Sequence, residues 1–177
     1  MPYIVFNKQT GRILQTSPDT MRYAHLYESE TTATLSVDTD KFDTECFYVE
    51  EGALVATLPR PSRYHHFDYT TKQWALPSDG IDQAQQDAIR KINAKAGDII
   101  TARLPIWKQN NMTARAVELQ ANQATWTTED ADEFAALQAE WDWVKSIRMA
   151  SNVAVAAAQA AEDVNTLQTL IDTFNPA

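Results

Sequence analysis

Glycine is scarce in this chain, with four in 177 residues and only Gly97 beyond Gly80. A backbone loop that cradles phosphate needs several glycines close together, so nucleotide binding of that kind is excluded. Cysteine is scarcer still. Cys46 stands alone, which rules out an intrachain disulfide and a cysteine zinc site. Its strand-like surroundings predict a buried, inert thiol. Positive charge is in deficit: 15 Lys and Arg face 24 Asp and Glu, for a net charge of −9. The cations are scattered, which argues against nucleic acid as a partner, and the acidity disfavours anionic membranes. Long hydrophobic runs are missing too. The apolar stretch near the C-terminus, Val153 to Ala158, is mostly alanine and far short of a membrane span. The opening Met-Pro-Tyr-Ile-Val-Phe has neither the basic start nor the long apolar centre of a secretory leader. A soluble protein made in the cytoplasm is expected.

What the chain does have is 44% hydrophobic residues, enough for a core. Its composition changes near Pro77-Ser78-Asp79-Gly80. Before that point Tyr, Phe, Val and Thr alternate with turn residues, the vocabulary of strands. After it Ala, Gln, Asp and Ile dominate, the vocabulary of helices. The expected fold is α+β: a small antiparallel β-domain over 1–77, then a helical bundle or coiled-coil hairpin over 78–177. About three helices are expected there, with breaks near 103–105 and 123–128.

In the first part, Tyr3 to Phe6 and Arg12 to Thr16 read as a hairpin, with Gly11 in its turn. Cys46 to Val49 and Ala53 to Thr57 make a second hairpin around Gly52. Thr34 to Val37 is a further strand, and Phe67 to Trp74 a short hairpin. Ser17 to Ser29 is ambiguous between loop and short helix, and Pro59 to Ser62 is extended. In the second part, Ser78 or Asp79 caps a helix from about Ile81 to Ala102, with Ile89, Ile92, Ala96 and Ile99 as its seam. Pro105 breaks the chain, and Met112, Ala116 and Leu119 share a face of the next helix. Thr127 or Thr128 caps a third, with Glu129 and Asp130 in its first turn and Phe134, Leu137, Trp141 and Val144 along its seam. Val164, Leu167, Ile171 and Phe174 repeat the rhythm. Between these seams, Ala154 to Ala161 is nearly all alanine and lets helices approach closely. So little bulk predicts that another chain completes part of the seam.

Chemistry finds few footholds. His65 and His66 are adjacent, so on a strand they point to opposite faces and cannot share one ion without a bend. Asp38, Asp40 and Asp43 lie close together but lack the glycine and distal glutamate of a calcium loop, and read as a solvated loop. Glu129 to Glu133 reads as an acidic first turn. No nucleophile elbow exists. No catalytic residue, cofactor or metal is expected. Trp141 and Trp143 lie two apart, about 200° around a helix, so both cannot face one internal core: one is an interface candidate, or else lies over a neighbouring helix or the β-domain of the same chain. Trp107, Lys108, Arg115 and Arg148 join them as docking candidates. A modest cluster of Tyr64, Tyr69 and Trp74 near Asp68 is the one place that could serve a carbohydrate.

Several of these segments together resemble a known group. Tyr3-Ile-Val-Phe-Asn-Lys-Gln-Thr-Gly-Arg-Ile-Leu14, Tyr48-Val-Glu-Glu-Gly-Ala-Leu-Val55 and the Phe67 to Trp74 hairpin resemble the β-rich N-terminal parts of small tail proteins of tailed bacteriophages and prophages. The phrase Leu104-Pro-Ile-Trp-Lys-Gln-Asn-Asn-Met-Thr-Ala-Arg-Ala-Val-Glu-Leu119 is similar to a Pro-Leu-Trp-Lys-Gln-Leu-Asn phrase there. It is followed, as there, by a Trp-x-Trp-Val-Lys-x-Ile-Arg-x-Ala-Ser-Asn helix, here Trp141 to Asn152. The resemblance covers most of the chain. It implies a non-enzymatic structural part of a phage tail, at the baseplate or tail-fibre attachment, with other tail or tail-fibre proteins as partners. The rival expectation is a tail-fibre assembly chaperone absent from the virion, and a glycan- or receptor-binding module stands further off. A homo-oligomer, by analogy a trimer, is expected, with no nucleic acid or membrane as partner.

Overall fold

A computed structural model of the chain describes residues 2–18, 21–38 and 43–176. The fold is α+β, with short antiparallel strands followed by four α-helices. It divides into two compact units, Met1–Gly80 and Ile81–Ala177.

In the first unit the apolar run at the start becomes β1 (Tyr3–Asn7), which lies between β2 (Ile13–Ser17) and β3 (Thr32–Ser36), antiparallel to both. As the central strand it is buried on both faces, which is why its sequence is apolar at successive positions rather than at alternate ones. Ile4 packs with Ile13, Val37 and Val49 on one side. Tyr3 and Val5 pack with Ala24 on the other. Ala24 belongs to a 3-10 helix, Met21–Tyr27, which resolves the ambiguity over that stretch.

Two further hairpins complete the unit: β4 (Phe47–Glu50) with β5 (Ala53–Ala56), and β6 (His66–Asp68) with β7 (Gln73–Ala75). The first turn ties them together. Gly11 sits at φ 71°, and its carbonyl accepts the Val49 N–H at 2.9 Å. A Cβ there would collide with the Val49 carbonyl oxygen. Both the left-handed backbone and the close approach therefore call for glycine. Lys72 donates to the Thr10 carbonyl and lies 4.6 Å from the Tyr48 ring centroid. Cys46 departs from expectation: it ends a short 3-10 turn, Thr44–Cys46, and is exposed. Slight desolvation and then the Asp43 carboxylate raise its thiol pKa, so it stays protonated near neutrality. Of the expected acidic loop, Asp40 lies outside the described residues, and Asp43 accepts the Glu45 N–H at 3.0 Å.

The second unit holds α1 (Ser78–Arg103, whose first turn belongs to the first unit), α2 (Ile106–Ala121), α3 (Thr128–Ala160) and α4 (Val164–Thr173). The fourth helix was not expected as a separate element. Asp163 creates it, accepting the Thr166 N–H at 2.8 Å as its N-cap. Pro105 starts α2 and Thr127 starts α3, the latter through a capping box with Asp130. Gln85 donates to the carbonyls of Gln159 and Ala161, Ser151 bonds to Asn93, and Arg103 pairs with Glu140. This descending register shows that α1 and α3 run antiparallel.

The buried line of α1 differs from the expected seam. Ala84, Ala88, Ile92, Ala96, Ile100 and Leu104 are buried, each four residues from the last, while Ile89 and Ile99 are half-buried. Each step of four advances about 40° around a helix, so the line drifts and α1 meets different neighbours along its length. Ala96, Ile100 and Leu104 pack with Met112, Val144 and Ile147. At the other end α1 buries Ala84 and Ala88 while α3 buries Ala158, and the Gln85 amide ties the two by donating to the Gln159 and Ala161 carbonyls. Ala96, Ile100, Met112, Val144 and Ile147 thus close on one another within this chain, while Val117, Met149 and Val153 stay exposed.

Candidate functional site

The six docking candidates divide into two groups. Arg115 is engaged within the unit. Its Nε lies 3.0 and 3.1 Å from the two Glu133 oxygens, its Nη2 lies 2.7 Å from Glu133 Oε2, and its Nη1 lies 2.9 Å from Glu118. The hydrogen bond to Arg115 holds the Glu133 carboxyl below its ordinary pKa. Bonding to Glu133 first, and to Glu118 next, raises that of the guanidinium. Arg115 thus clasps α2 to α3.

The two tryptophans of α3 are engaged as well. Trp141 and Trp143 are both half-buried against the cluster around Val144 and Ile147. They can both do so because the buried line passes between them. Trp141 lies about 60° to one side of Val144 and Trp143 about 100° to the other. The Arg103 guanidinium covers Trp143 at 4.4 Å. Of the two readings left open for this pair, the structure shows the tryptophans lying against helices of the same chain. Trp126, likewise, packs on Phe134 at 5.0 Å and donates to the Leu119 carbonyl at 2.6 Å.

Trp107, Lys108 and Arg148 stand differently. Trp107 is 65% exposed and its neighbour Ile106 is 67% exposed, at the start of α2. The Pro105 carbonyl accepts the Lys108 N–H, and the Lys108 side chain is half-buried. Arg148 is exposed and makes no ion pair among the described residues. It lines a groove with Ile106, Gly97 and Ile100, holding about 490 Å3 between α1, α2 and α3. Gly97 forms part of this groove as a mid-helix glycine whose added Cβ would meet nothing within 4 Å. Nothing inside the unit explains a glycine there. A second apolar pair, Met149 and Val153, is exposed on α3 one turn apart. No sequence pattern singled out Gly97 or this pair, because both are defined by what fails to cover them.

The β unit contains a separate cavity of about 350 Å3, to which Tyr69 and Trp74 contribute and Tyr64 does not. Asp68 is occupied. Its Oδ1 accepts the Thr70 N–H at 2.8 Å, which heads the causes that hold its carboxyl below the usual range. Of the residues expected to cluster, Tyr69 and Trp74 line the cavity, and Tyr64 and Asp68 do not. The wall carries Arg12, Arg60, His65 and His66 instead. His65 Nδ1 lies 2.8 Å from the Ser62 hydroxyl, and no group of three His, Cys, Asp or Glu side chains among the described residues could hold a metal. Burial first, opposed by Arg12 and reinforced by Glu45, pushes the Tyr69 phenol above its ordinary pKa. Among the described residues no helix is long and apolar enough to cross a membrane. Comparison with protein-family models, with curated proteins and with solved structures finds no match to this chain.

Proposed function

We propose that the chain is a non-enzymatic structural component of a bacteriophage tail, an adaptor at the baseplate or tail-fibre attachment. It docks through the start of α2 and the groove beside it. The observation that carries the docking is the exposed pair Ile106 and Trp107 bordering a groove with Gly97 on its wall. Two adjacent large apolar side chains in water are costly unless something covers them. Tryptophan is also the residue most enriched among energetically dominant interface positions. The assignment to a tail rests on the resemblance of 104–119 and 141–152 to phage tail proteins. Within that resemblance Met112, Leu119, Val144 and Ile147 build the core, while Ile106 and Trp107 are left for a neighbour.

The test is incorporation. Phage lacking the native gene would be complemented with the wild type, Trp107→Ala or Ile106→Asp, and the purified particles probed for the protein. Trp107→Ala should weaken docking by about 2 kcal/mol, roughly thirtyfold. Folding stability should change by only about 0.5 kcal/mol, since the side chain is exposed. Wild-type incorporation of both variants would remove this surface from the interface.

A further inference from the structure

The cavity of the β unit differs in kind from the apolar groove. Its volume, about 350 Å3, lies at the small end of ligand cavities, which suits one ring rather than a chain of them. Its aromatic side is rigid. Phe67 meets Tyr69 and Trp74 edge-on, with centroids 5.1 and 5.3 Å away, and the Trp74 indole donates to the Leu58 carbonyl at 2.7 Å.

Its cationic side is fixed as well. Arg60 donates from Nε to the His65 carbonyl at 2.9 Å and from Nη2 to the Arg63 carbonyl at 2.8 Å. Its Nη1 stands 3.6 Å from Glu45, beyond good hydrogen-bond length. Arg12 lies 5.7 Å from the Tyr69 centroid and has no acidic partner among the described residues. Two guanidiniums line the cavity against one lining carboxylate, so the lining itself carries a positive excess on a chain whose total is −9, with Asp43 acting on Tyr69 from beyond it. An unpaired arginine beside a fixed one is a receptor for an oxyanion, since the planar donor fork matches carboxylate and phosphate.

The rest of the lining selects the body that carries the anion. The Thr44 hydroxyl and the imidazoles of His65 and His66 can donate and accept hydrogen bonds, and the Glu45 carboxylate accepts them. Sugar hydroxyls do both at several positions around a ring, whereas inorganic phosphate presents mostly acceptor oxygens. An aromatic acid would need an open ring face, but Arg12 and Arg60 already lie over Tyr69 and Trp74.

We propose that this cavity binds a single-ring acidic sugar, its carboxylate or phosphate held by Arg12 and Arg60 and its hydroxyls by the polar rim. The proposal is independent of docking by the helical unit, and neither outcome decides the other. The full chain would be titrated with glucuronate, glucose 6-phosphate, glucose and inorganic phosphate. Heat would be followed, together with the Trp74 indole N–H resonance.

At least one acidic sugar should bind saturably and move that resonance, and the tighter of the two identifies the anionic group. Glucose and phosphate should each bind about tenfold more weakly or worse, the worth of one lost charge-assisted contact. Arg12→Ala should weaken the acidic sugar by about tenfold at an unchanged melting temperature. Absence of binding by both acidic sugars would overturn the proposal, as would equal binding of glucose or phosphate, or an unaffected Arg12→Ala. The wild-type resonance decides the matter even if the variant misfolds.

Discussion

Replacing Gly97 with alanine separates two reasons for a glycine inside a helix. α1 passes through this position without a positive φ, and a Cβ there would meet nothing within 4 Å. The substitution therefore brings neither strain nor a clash. It gains the difference in helix propensity between the two residues, about 0.8–1.0 kcal/mol, with part of the gain coming from a less flexible unfolded chain. In a unit of this size, 81–177, 1 kcal/mol moves the melting temperature by roughly 4–8 °C. A thermal melt followed by helical circular dichroism reads this directly, and Gly97→Ala should melt higher than the wild type by that amount. The same methyl narrows the groove beside α2. Gly97→Leu, also a good helix former, fills more of it and should reduce incorporation into particles while leaving the unit stable. A lower melting temperature for Gly97→Ala would mean that part of this chain already fills the space, and the open groove would be refuted.

Other perturbations test the scaffold. Gly11→Ala forces a side chain into the left-handed region, about 1–3 kcal/mol, and also against the Val49 carbonyl. It should unfold the β unit at a lower denaturant concentration and leave the helical signal in place. Thr127→Ala removes the cap of α3 and its capping box, and should cost the helical unit about 1 kcal/mol in urea unfolding. Ile147→Ala opens a cavity in a fully buried position and should cost about 2–5 kcal/mol by the same assay.

Acid should weaken the helical unit through specific carboxylates. Asp130 is held below its usual pKa first by the Thr127 N–H and Asp163 first by the Thr166 hydroxyl, while the hydrogen bond to Arg115 does the same for Glu133. A depressed folded-state pKa contributes stability that is complete above the unfolded value, about 4, and is lost as pH falls through the folded value. Unfolding free energy should accordingly be level near neutrality and fall below about pH 4. Arg115→Met, which removes the hydrogen bond that lowers Glu133, should flatten that fall, and an unchanged profile would contradict the assignment.

Much of this fold was legible because local signals and tertiary needs agree. The apolar run of β1, the turn glycine at 11, Pro105 and the Thr127 cap each carry their own physics, and each element forms where that physics places it. The misplacements have a common origin. The α1 seam was read through the bulky Ile89 and Ile99, yet the helix buries Ala84, Ala88 and Ile100 and leaves those two half-buried. Periodicity does not encode a neighbour's distance. Arg115 read as a docking candidate because Glu133 and Asp130 lie across a turn, at separations no helical spacing reveals, although its third partner, Glu118, stands three residues on along α2. Cys46 read as strand because a single 3-10 turn leaves no periodic trace. The β-unit cavity gathers Arg12, Glu45, Arg60, Tyr69 and Trp74 from four stretches of chain, a convergence only the folded hairpins create.

The central claim is that this chain is built into a phage tail, and mass spectrometry of purified particles tests it most directly. The account predicts its peptides in the virion at a fixed ratio to other tail proteins. Abundance in the infected-cell lysate with absence from the particle would contradict it and leave an assembly role instead.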